Sequence, residues 1–527
     1  MRVGEAITAA LAEVGVRHAF GIPGVHTLEL FRGLGDSQIT AVVPRHEQGA
    51  GFMADGYARA SGNPGVCLLT TGPGVTNALT PLAQAFHDSS AVLVVASETD
   101  RTLLHKGRGP LHDLPDQRAL VAQVTAYSET VGDQSELPAK LGAAWSCLER
   151  PRRRPAYLGV PIDILAEPSA PFAPKLHLQS PPAPAPEKLD SAAELLIAAQ
   201  RPILVLGGGA VDAGAAAIEL ATQLDAPIAL TGNAKGTVPS THPLCLGSTL
   251  PFGSVRELIA DADVALLVGT ELSEVDVIYT GVRLRFPGRV IRVDVDPAQL
   301  DAGTTATVGV VGDANLTLTG LLERVLASAS PARPDRGAAA RVRSALDAIR
   351  WTAQSITHLP WLAAIDRALP ADRIVSLDST QLAYTALHAM GAEQPRSWLA
   401  PYGFGTLGPA LPMAIGAKLA RPDAATVVLV GDGGLMFTVA ELVTAAALGL
   451  NLPVLVWNND GYGEIRDSFA RAGMTAVGCD TTAADLGAIA RGCGCASALA
   501  GSPDELAGEI TRALDRDRPT LIEIPVA

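Results

Sequence analysis

Short apolar strands recur along the whole chain, and helix-forming segments separate them. Runs rich in β-branched residues occur at VCLLTT (66–71), AVLVVAS (91–97), PILVLG (202–207), DVALLVG (263–269), TVVLVG (426–431) and PVLVWN (453–458). Ala/Leu-rich stretches lie between them. Strands that are apolar throughout and alternate with helices are typical of parallel sheets covered on both faces. The sequence therefore predicts an α/β protein built from doubly wound parallel sheets.

Two stretches of linker composition divide the chain into three blocks. Residues 167–188 are dense in proline, and the segment 327–355 opens with a small, charged run. A chain of 527 residues is too long for a single core and suggests about three domains of ~150 residues. We expect an N-terminal domain at 1–166, a central domain at 189–326 and a C-terminal domain at 356–527.

The composition favours a small-molecule enzyme or binding protein. The formal net charge is −14, whereas nucleic acids and anionic membranes recruit basic patches, so neither is expected as a partner. The first residues lack the apolar core of a secretion signal, and no apolar run has the length of a membrane span. Six scattered cysteines suit a reducing compartment. These features predict a cytoplasmic protein.

The segment 430–463 predicts a site for a metal ion and a diphosphate. A strand ends at Gly431, Asp432, Gly433 and Gly434, a helix follows, and the next strand ends at Asn459. In such a crossover both strands run in the same direction, so Asp432 and Asn459 converge at the sheet edge where ligands bind. Their oxygens suit Mg²⁺, and the glycines let backbone N–H groups approach phosphate.

The same segment predicts how its helix begins. Thr438 and Glu441 have the spacing of a capping box, in which each side chain bonds to the other residue's backbone N–H. In the middle block, GGG at 207–209 follows a strand, but G-x-G-x-x-G is absent. The middle block therefore lacks the fingerprint that predicts a bound dinucleotide.

GDG followed at this distance by NN resembles the thiamine-diphosphate-dependent enzymes of the acetolactate synthase and 2-oxo acid decarboxylase family. The resemblance implies a pyrimidine-binding N-terminal domain, a central domain without catalysis and a diphosphate-binding C-terminal domain. It also implies that Asp432, Asn459 and the carbonyl of Gly461 hold Mg²⁺, and that glycines line the diphosphate, namely Gly431, Gly433 and Gly434.

The resemblance assigns further cofactor contacts. In PYGFGTLGPALPMAIGAK (401–418), Leu407 is the apolar wedge that bends the cofactor, and Gly405 and Leu407 contact its aminopyrimidine through their backbones. In DSTQLAY (378–384), Ser379 and Gln381 are expected at the far end of the diphosphate. From the residues alone, Leu407 would be placed in the core.

Glu47 lies in PRHEQGAG (44–51), where an extended run is predicted to turn into a helix. A carboxylate in the first turn of a helix is usually structural. In the resembling family, however, this Glu bonds the pyrimidine nitrogen and moves a proton that activates the cofactor. The Glu of one subunit there serves a cofactor held by another, so we expect at least a homodimer and, as is common in the family, a homotetramer.

The substrate pocket departs from two familiar patterns. Neither the pyruvate decarboxylase pattern nor the acetolactate synthase pattern is intact. GIPGVHTLEL, LHDLPDQ and NNDGYGEIRD together resemble the 5-guanidino-2-oxopentanoate (2-oxoarginine) decarboxylases, in which a carboxylate would pair with the guanidinium of the substrate. The candidate substrate residues are Val25, His26, His112, Asp113, Glu464 and Ile465, and the two histidines are also catalytic candidates.

Other interpretations stay open on the sequence. An acetolactate-synthase-like carboligase would join the decarboxylated 2-oxo acid to a second carbonyl compound instead of releasing an aldehyde. Further alternatives are a cofactor-binding protein without turnover and a nicotinamide-dependent dehydrogenase. FAD in the central domain is neither expected nor excluded. Glu464 could also pair with Arg466 or Arg471 on the surface, and both histidines could be ordinary polar residues.

Overall fold

The computed structural model describes residues 1–35, 37–277, 283–328, 335–481 and 484–526. The described strands form three sheets of six strands each. All strand pairs whose register is described are parallel. The predicted α/β architecture with three parallel sheets is therefore confirmed. Among the described helices, none combines the length and the apolar character needed to cross a membrane.

The first sheet has the strand order β2-β1-β3-β4-β6-β5. Its strands are β1 His18–Phe20, β2 Thr40–Val42, β3 Gly65–Leu69, β4 Val92–Glu98, β5 Tyr127–Thr130 and β6 Ala156–Pro161. The helices of this part are α1 Val3–Glu13, α2 Leu28–Gly35, α3 Glu47–Ser61, α4 Pro73–Asn77, α5 Leu79–His87, α6 Gln117–Val121, α7 Leu137–Leu148 and α8 Ile162–Leu165.

Both faces of this sheet are buried, which explains its uniformly apolar strands. Val92 and Val94 of β4 belong to one core cluster, whereas Leu93 and Val95 belong to another. Successive side chains of a strand point to opposite faces, so each face of β4 has its own apolar layer.

The second sheet has the order β12-β11-β10-β7-β8-β9. Its strands are β7 Pro202–Leu206, β8 Ile228–Leu230, β9 Cys245–Gly247, β10 Val264–Val268, β11 Arg289–Asp294 and β12 Val308–Val311. The helices of this part are α9 Pro186–Ala198, α10 Gly214–Leu224, α11 Gly253–Ala260, α12 Ala314–Ala327, α13 Ala338–Asp347 and α14 Ala353–Ala368.

The third sheet has the order β14-β13-β15-β16-β18-β17. Its strands are β13 Ile374–Leu377, β14 Trp398–Leu399, β15 Thr426–Gly431, β16 Pro453–Asn458, β17 Ala496–Leu499 and β18 Thr520–Pro525. The helices are α15 Gln381–Ala389, α16 Ala410–Ala420, α17 Asp432–Met436, α18 Glu441–Ala447, α19 Gly463–Arg471, α20 Leu486–Gly492 and α21 Pro503–Leu514.

The chain forms two compact units. One comprises residues 1–179, 373–383 and 399–527, and the other comprises residues 180–372 and 384–398. Within the first unit, helices α3 and α16 cross at close range through glycines. A Cβ at Gly56 would lie 2.1 Å from the Met413 carbonyl oxygen, and one at Gly416 would lie 1.9 Å from the Met53 carbonyl oxygen. Only residues without a Cβ allow these backbones to approach so closely.

Part of the segment predicted as the second linker is a packed helix. Within the predicted linker 327–355, helix α13 buries Val342 and Ala345 in the same apolar cluster as Ile203 and Val205 of β7. Val342 and Ala345 are three positions apart, so one turn of helix brings them to the same face. The many small and charged residues around them make this apolar face difficult to recognise in the sequence. The domain boundaries themselves stay a prediction.

Candidate active site

The carboxyl ends of β15 and β16 bring two predicted metal ligands together. These strands are neighbours, with Gly431 opposite Trp457. Asp432 follows β15 directly and Asn459 follows β16, and the Asn459 backbone N–H lies 3.5 Å from Oδ1 of Asp432. The convergence expected from the crossover is therefore present, although the two residues are 27 positions apart.

Three oxygen donors can face one another at this point. One end of the Asn459 amide lies 3.3 Å from Oδ1 of Asp432 and 2.8 Å from the Gly461 carbonyl oxygen. With its nitrogen there, the amide donates two hydrogen bonds; with its oxygen there, it completes a set of three oxygens for a cation. Asp432 is 9% exposed, and burial raises the pKa of its carboxyl above the ordinary value. A hard divalent cation fits this donor set.

The turn after β15 is built closely around its glycines. A Cβ at Gly433 would lie 2.8 Å from the Tyr462 ring, and one at Gly434 would lie 2.9 Å from the Asp378 carboxylate. A Cβ at Gly431 would lie 2.9 Å from the hydroxyl oxygen of Thr380. Larger residues would push this turn out of place.

The predicted capping box is wrong. Helix α18 begins at Glu441 with Ala440 as its N-cap and without a side-chain cap. Glu441 instead accepts hydrogen bonds from the backbone N–H groups of Arg45 at 3.0 Å and His46 at 3.1 Å. Thr438 donates to the carbonyl of Gly408 at 2.7 Å. Both side chains match the local pattern, but they bond to partners distant in the sequence and not to each other's backbone N–H groups.

Glu47 begins helix α3, as the sequence predicted. His46 is the N-cap, and its Nδ1 accepts from the Gln48 N–H at 3.1 Å. Oε2 of Glu47 accepts from Nδ2 of Asn77 at 2.9 Å. Because Glu441 holds the two residues before it and Asn77 holds its carboxylate, the direction of the Glu47 side chain is well determined.

The expected wedge residue lies on an irregular loop. Leu407 is half-buried, between the end of β14 and the start of α16. Gly405, in the same loop, is exposed and has a φ of +69°. An apolar side chain that is not packed into the core is available for contact with a ligand.

Ser379 and Gln381 follow β13. The Ser379 backbone N–H donates to the Asp378 side chain at 2.8 Å. Nε2 of Gln381 donates to Oδ2 of Asp467 at 2.7 Å, and its Oε1 accepts from Asn459 at 3.2 Å. Gln381 thus joins the predicted metal turn to helix α19, and its contact with a diphosphate stays a prediction.

The structure brings His26 and His112 together. Their ring centroids are 5.1 Å apart at an angle of 80°. Both Nδ1 atoms are buried, and neither has a hydrogen-bond partner among the described residues. Burial and the neighbouring His112 lower the pKa of His26. His112 has a φ of +66°, a conformation that is uncommon for residues with a side chain. Imidazoles change their protonation state near neutral pH, so this pair is a candidate for proton transfer.

The remaining substrate candidates are more exposed. Val25 is 78% exposed and Ile465 is 52% exposed, whereas Asp113 is partly buried. Glu464 pairs with Arg471 at 2.6 Å, which is one of the two surface partners considered from the sequence. Arg466 pairs with Asp480 instead, at 2.8 Å.

Sequence reasoning missed the roles of three residues around this site. Asn77 donates to Glu47, Asp378 accepts from the backbone N–H of Gly408, and Thr438 donates to the carbonyl of Gly408. Asp378 had a signal, because an Asp directly after a buried strand lies at the ligand-binding edge of the sheet. Asn77 had none, since its partner is 30 positions away.

Comparison with known proteins agrees with this geometry. Models of thiamine pyrophosphate enzymes match three parts of the chain: the N-terminal TPP binding domain at residues 1–120, the central domain at 189–321 and the C-terminal TPP binding domain at 378–524. A protein of Pseudomonas aeruginosa named a probable 2-ketoarginine decarboxylase is 43% identical over 99% of this chain and 94% of its own length.

Acetolactate synthases are also similar. The large subunit of isozyme 1 from Escherichia coli is 30% identical over 87% of this chain and 82% of its own length. An X-ray structure from Mycobacterium smegmatis, described as that of a thiamin diphosphate-dependent enzyme, superposes with a TM-score of 0.83 at 25% identity. It covers 100% of this chain and 99% of the other. The chain therefore belongs to the thiamine pyrophosphate enzyme family.

Proposed function

We propose that the protein decarboxylates a 2-oxo acid with a cationic tail, such as 5-guanidino-2-oxopentanoate, to the aldehyde and CO₂. The observation that carries the proposal is the 43% identity over nearly the full length with a protein named a probable 2-ketoarginine decarboxylase. The motifs around His26, His112 and Glu464 resemble such enzymes, which supports the same substrate class.

Thiamine diphosphate supplies a nucleophilic carbon that attacks the 2-oxo group and an electron sink for the loss of CO₂. We propose that Asp432, Asn459 and the Gly461 carbonyl hold Mg²⁺, which their close approach supports. The short turn at Gly433 and Gly434 would accommodate the diphosphate. Leu407 would contact the cofactor from its loop.

Glu47 would hold and move the proton at the pyrimidine ring. Its carboxylate is kept in place by Asn77 at 2.9 Å, and Glu441 secures the preceding backbone. A general acid or base needs this kind of fixed geometry before its pKa matters. The imidazoles of His26 and His112 would exchange protons with the substrate or product.

An acidic group on α19 would bind the cationic tail. Glu464 already binds a guanidinium, that of Arg471, at 2.6 Å. The Arg471 side chain is 62% exposed, and exposed ion pairs of this kind contribute only ~0–1 kcal/mol. A substrate guanidinium can therefore replace it at little cost, and Asp113 from a loop of the other subunit would add a second acidic group.

The second candidate function is acetolactate-synthase-like carboligation, which the 30% identical synthase from E. coli favours. The deciding experiment measures CO₂ release and identifies products from 2-oxoarginine and pyruvate side by side, with thiamine diphosphate and Mg²⁺. We expect a strong preference for 2-oxoarginine, with 4-guanidinobutanal as the product. Preference for pyruvate with a coupled 2-hydroxyketone would refute the proposal and assign the protein to the synthases.

We also propose a homodimer, or a tetramer made of two dimers, in which Glu47 of one subunit serves the cofactor of the other. Large apolar side chains in the Leu407 loop and at the end of α17 support a covered surface: Phe404 is 50% exposed, Met436 47% and Phe437 49%. Clusters of exposed apolar side chains usually mark an interface.

Mixing two inactive variants tests this arrangement. Glu47→Gln and Asp432→Ala would each be inactive alone. Each site combines Glu47 of one subunit with Asp432 of the other. In a mixed dimer one site therefore carries both substitutions and the other carries neither, so activity should return after the subunits exchange. No return, despite mixed dimers shown by native mass spectrometry, would contradict shared sites.

We keep a cytoplasmic location as part of the proposal. The six cysteines are free, and five of them are buried. Unpaired thiols suit a reducing compartment.

A further inference from the structure

One buried carboxylate joins two loops of the predicted cofactor site. Asp378 follows β13 and is 2% exposed. Its Oδ2 accepts from the backbone N–H of Gly408 at 2.9 Å, and its Oδ1 accepts from the N–H of Ser379 at 2.8 Å. The backbone N–H of Ala410 also interacts with it. Asp378 therefore holds the loop that carries Leu407.

Gly408 is held from the opposite side as well. Oγ1 of Thr438, which is 6% exposed, donates to the Gly408 carbonyl oxygen at 2.7 Å. Gly408 has a φ of +88°, and a Cβ there would lie 2.6 Å from Cβ of Phe437. Both polar backbone groups of Gly408 are thus bonded to buried side chains, and its conformation requires glycine.

The same carboxylate reaches the predicted diphosphate turn. A Cβ at Gly434 would lie 2.9 Å from Oδ1 of Asp378, so the carboxylate packs directly against the turn. Leu407 precedes Gly408, and Gly434 lies in the short helix α17 that begins at Asp432. Asp378 therefore contacts both the loop that carries Leu407 and the predicted diphosphate turn, and it fixes the distance between them.

A merely space-filling role does not explain a carboxylate at this position. The interactions that offset its burial come from backbone N–H groups, and a buried carboxylate without a cation is costly compared with an amide or an apolar side chain. The two oxygens of a carboxyl, however, can accept from two separate N–H groups, whereas an amide offers a single oxygen. That property suits a group that must hold a loop in one position.

We propose that Asp378 and Thr438 are positioning residues that clamp Gly408, and that this clamp sets Leu407 at a fixed distance from Gly433 and Gly434. A cofactor held at both loops then binds in a single bent shape. Small displacements of a reacting group can reduce a rate by ~10²-fold. The proposal rests on the proposed use of thiamine diphosphate, but not on which 2-oxo acid is the substrate.

The test compares substitutions of buried threonines. Thr438→Val removes the hydroxyl that holds Gly408, and Thr438→Ser restores a hydroxyl. Thr426→Val is the matched control, because Thr426 is buried and its Oγ1 donates to the Ala424 carbonyl at 3.3 Å, remote from the clamp in the fold. The dissociation constant of thiamine diphosphate with Mg²⁺ is measured by calorimetry without any 2-oxo acid, together with the near-ultraviolet circular dichroism of the bound cofactor.

We expect Thr438→Val to weaken cofactor binding about fivefold to tenfold, which corresponds to one hydrogen bond. It should also change the dichroism of the bound cofactor. Thr438→Ser should recover most of the affinity, and Thr426→Val should bind the cofactor like the wild type. If Thr438→Val and Thr426→Val bind thiamine diphosphate with equal affinity and give equal dichroism of the bound cofactor, the proposed clamp is refuted.

Asp378→Asn provides a second variant. We expect it to weaken cofactor binding by about 10- to 100-fold, because an amide leaves one of the two backbone N–H groups without its acceptor. Unchanged affinity in a folded Asp378→Asn protein would also overturn the clamp. Since no 2-oxo acid is present, an incorrect substrate assignment would leave these results unaffected. If Asp378→Asn does not fold, the threonine series decides alone.

Discussion

The carboxyl of Asp378 should make the stability of the protein depend on pH in a way that Asp378→Asn removes. Burial raises the pKa of Asp378 from 3.8 to about 7. The folded state therefore keeps a proton that the unfolded chain releases as the pH rises above about 4. The contribution of this group to stability is fully present below its unfolded pKa and is lost as the pH rises through 7.

The size of the effect follows from the pKa difference. A rise from 3.8 to about 7 is about three units, and each unit corresponds to ~1.4 kcal/mol, so the total is of the order of 4 kcal/mol. Between about pH 4 and pH 7 the wild type should lose stability relative to Asp378→Asn at up to ~1.4 kcal/mol per pH unit. The variant also loses good hydrogen bonds to Gly408, but that loss is nearly independent of pH.

The assay is urea unfolding of the cofactor-free wild type and Asp378→Asn at pH 5, 6, 7 and 8, at one protein concentration. All other groups titrate in both proteins and cancel in the difference between their free energies of unfolding. We expect this difference to shift steadily in favour of Asp378→Asn up to about pH 7 and then to level off. A constant difference across the range would refute the argument, since it would show that Asp378 titrates normally.

Further substitutions test the rest of the site. Glu47→Gln should lower kcat by ~10²- to 10⁴-fold, as expected for a lost proton-transfer group, with cofactor affinity unchanged by calorimetry; loss of affinity would point to a binding role instead. Asn459→Ala should raise the Mg²⁺ concentration for half-maximal activity by about tenfold, which is ~1.4 kcal/mol, and an unchanged value would exclude Asn459 as a ligand. Glu441→Gln should destabilise the protein by ~1.5–3 kcal/mol, as expected for hydrogen bonds to a charged acceptor, and an unaltered urea midpoint would contradict this. Glu464→Gln should raise KM for 2-oxoarginine about tenfold but leave KM for pyruvate unchanged. Arg471→Ala should lower KM for 2-oxoarginine, because it removes the guanidinium that now pairs with Glu464. Equal changes in KM for both substrates would show that Glu464 does not bind the cationic tail.

Short-range patterns were sufficient for much of the architecture. The apolar runs predicted strands such as β4, β15 and β16, because strands buried on both faces need apolar residues at every position. The start of α3 at Glu47 was also predicted. Helix α13 within the predicted second linker was not anticipated, because the segment is too poor in large apolar residues to show that Val342 and Ala345 are buried.

The candidate site was predictable where it depends on strand ends. Asp432 and Asn459 follow adjacent parallel strands, so their convergence needs only the handedness and direction of a crossover connection. The capping-box prediction for Thr438 and Glu441 shows where local reasoning stops. Their side chains fit two sets of partners, and only the packing of α3 and the Leu407 loop decides between them.

The sequence by itself determined the three parallel sheets, the family and the positions of the residues that can bind the cofactor. These properties come from the periodicity of apolar residues and from spacings within single motifs. The tertiary structure alone decided that Glu441 secures the approach to Glu47, that Asn77 holds its carboxylate, and that Asp378 and Thr438 hold Gly408. Each of these contacts joins residues 30 or more positions apart. Such contacts depend on how separate elements pack, and no local pattern specifies that packing.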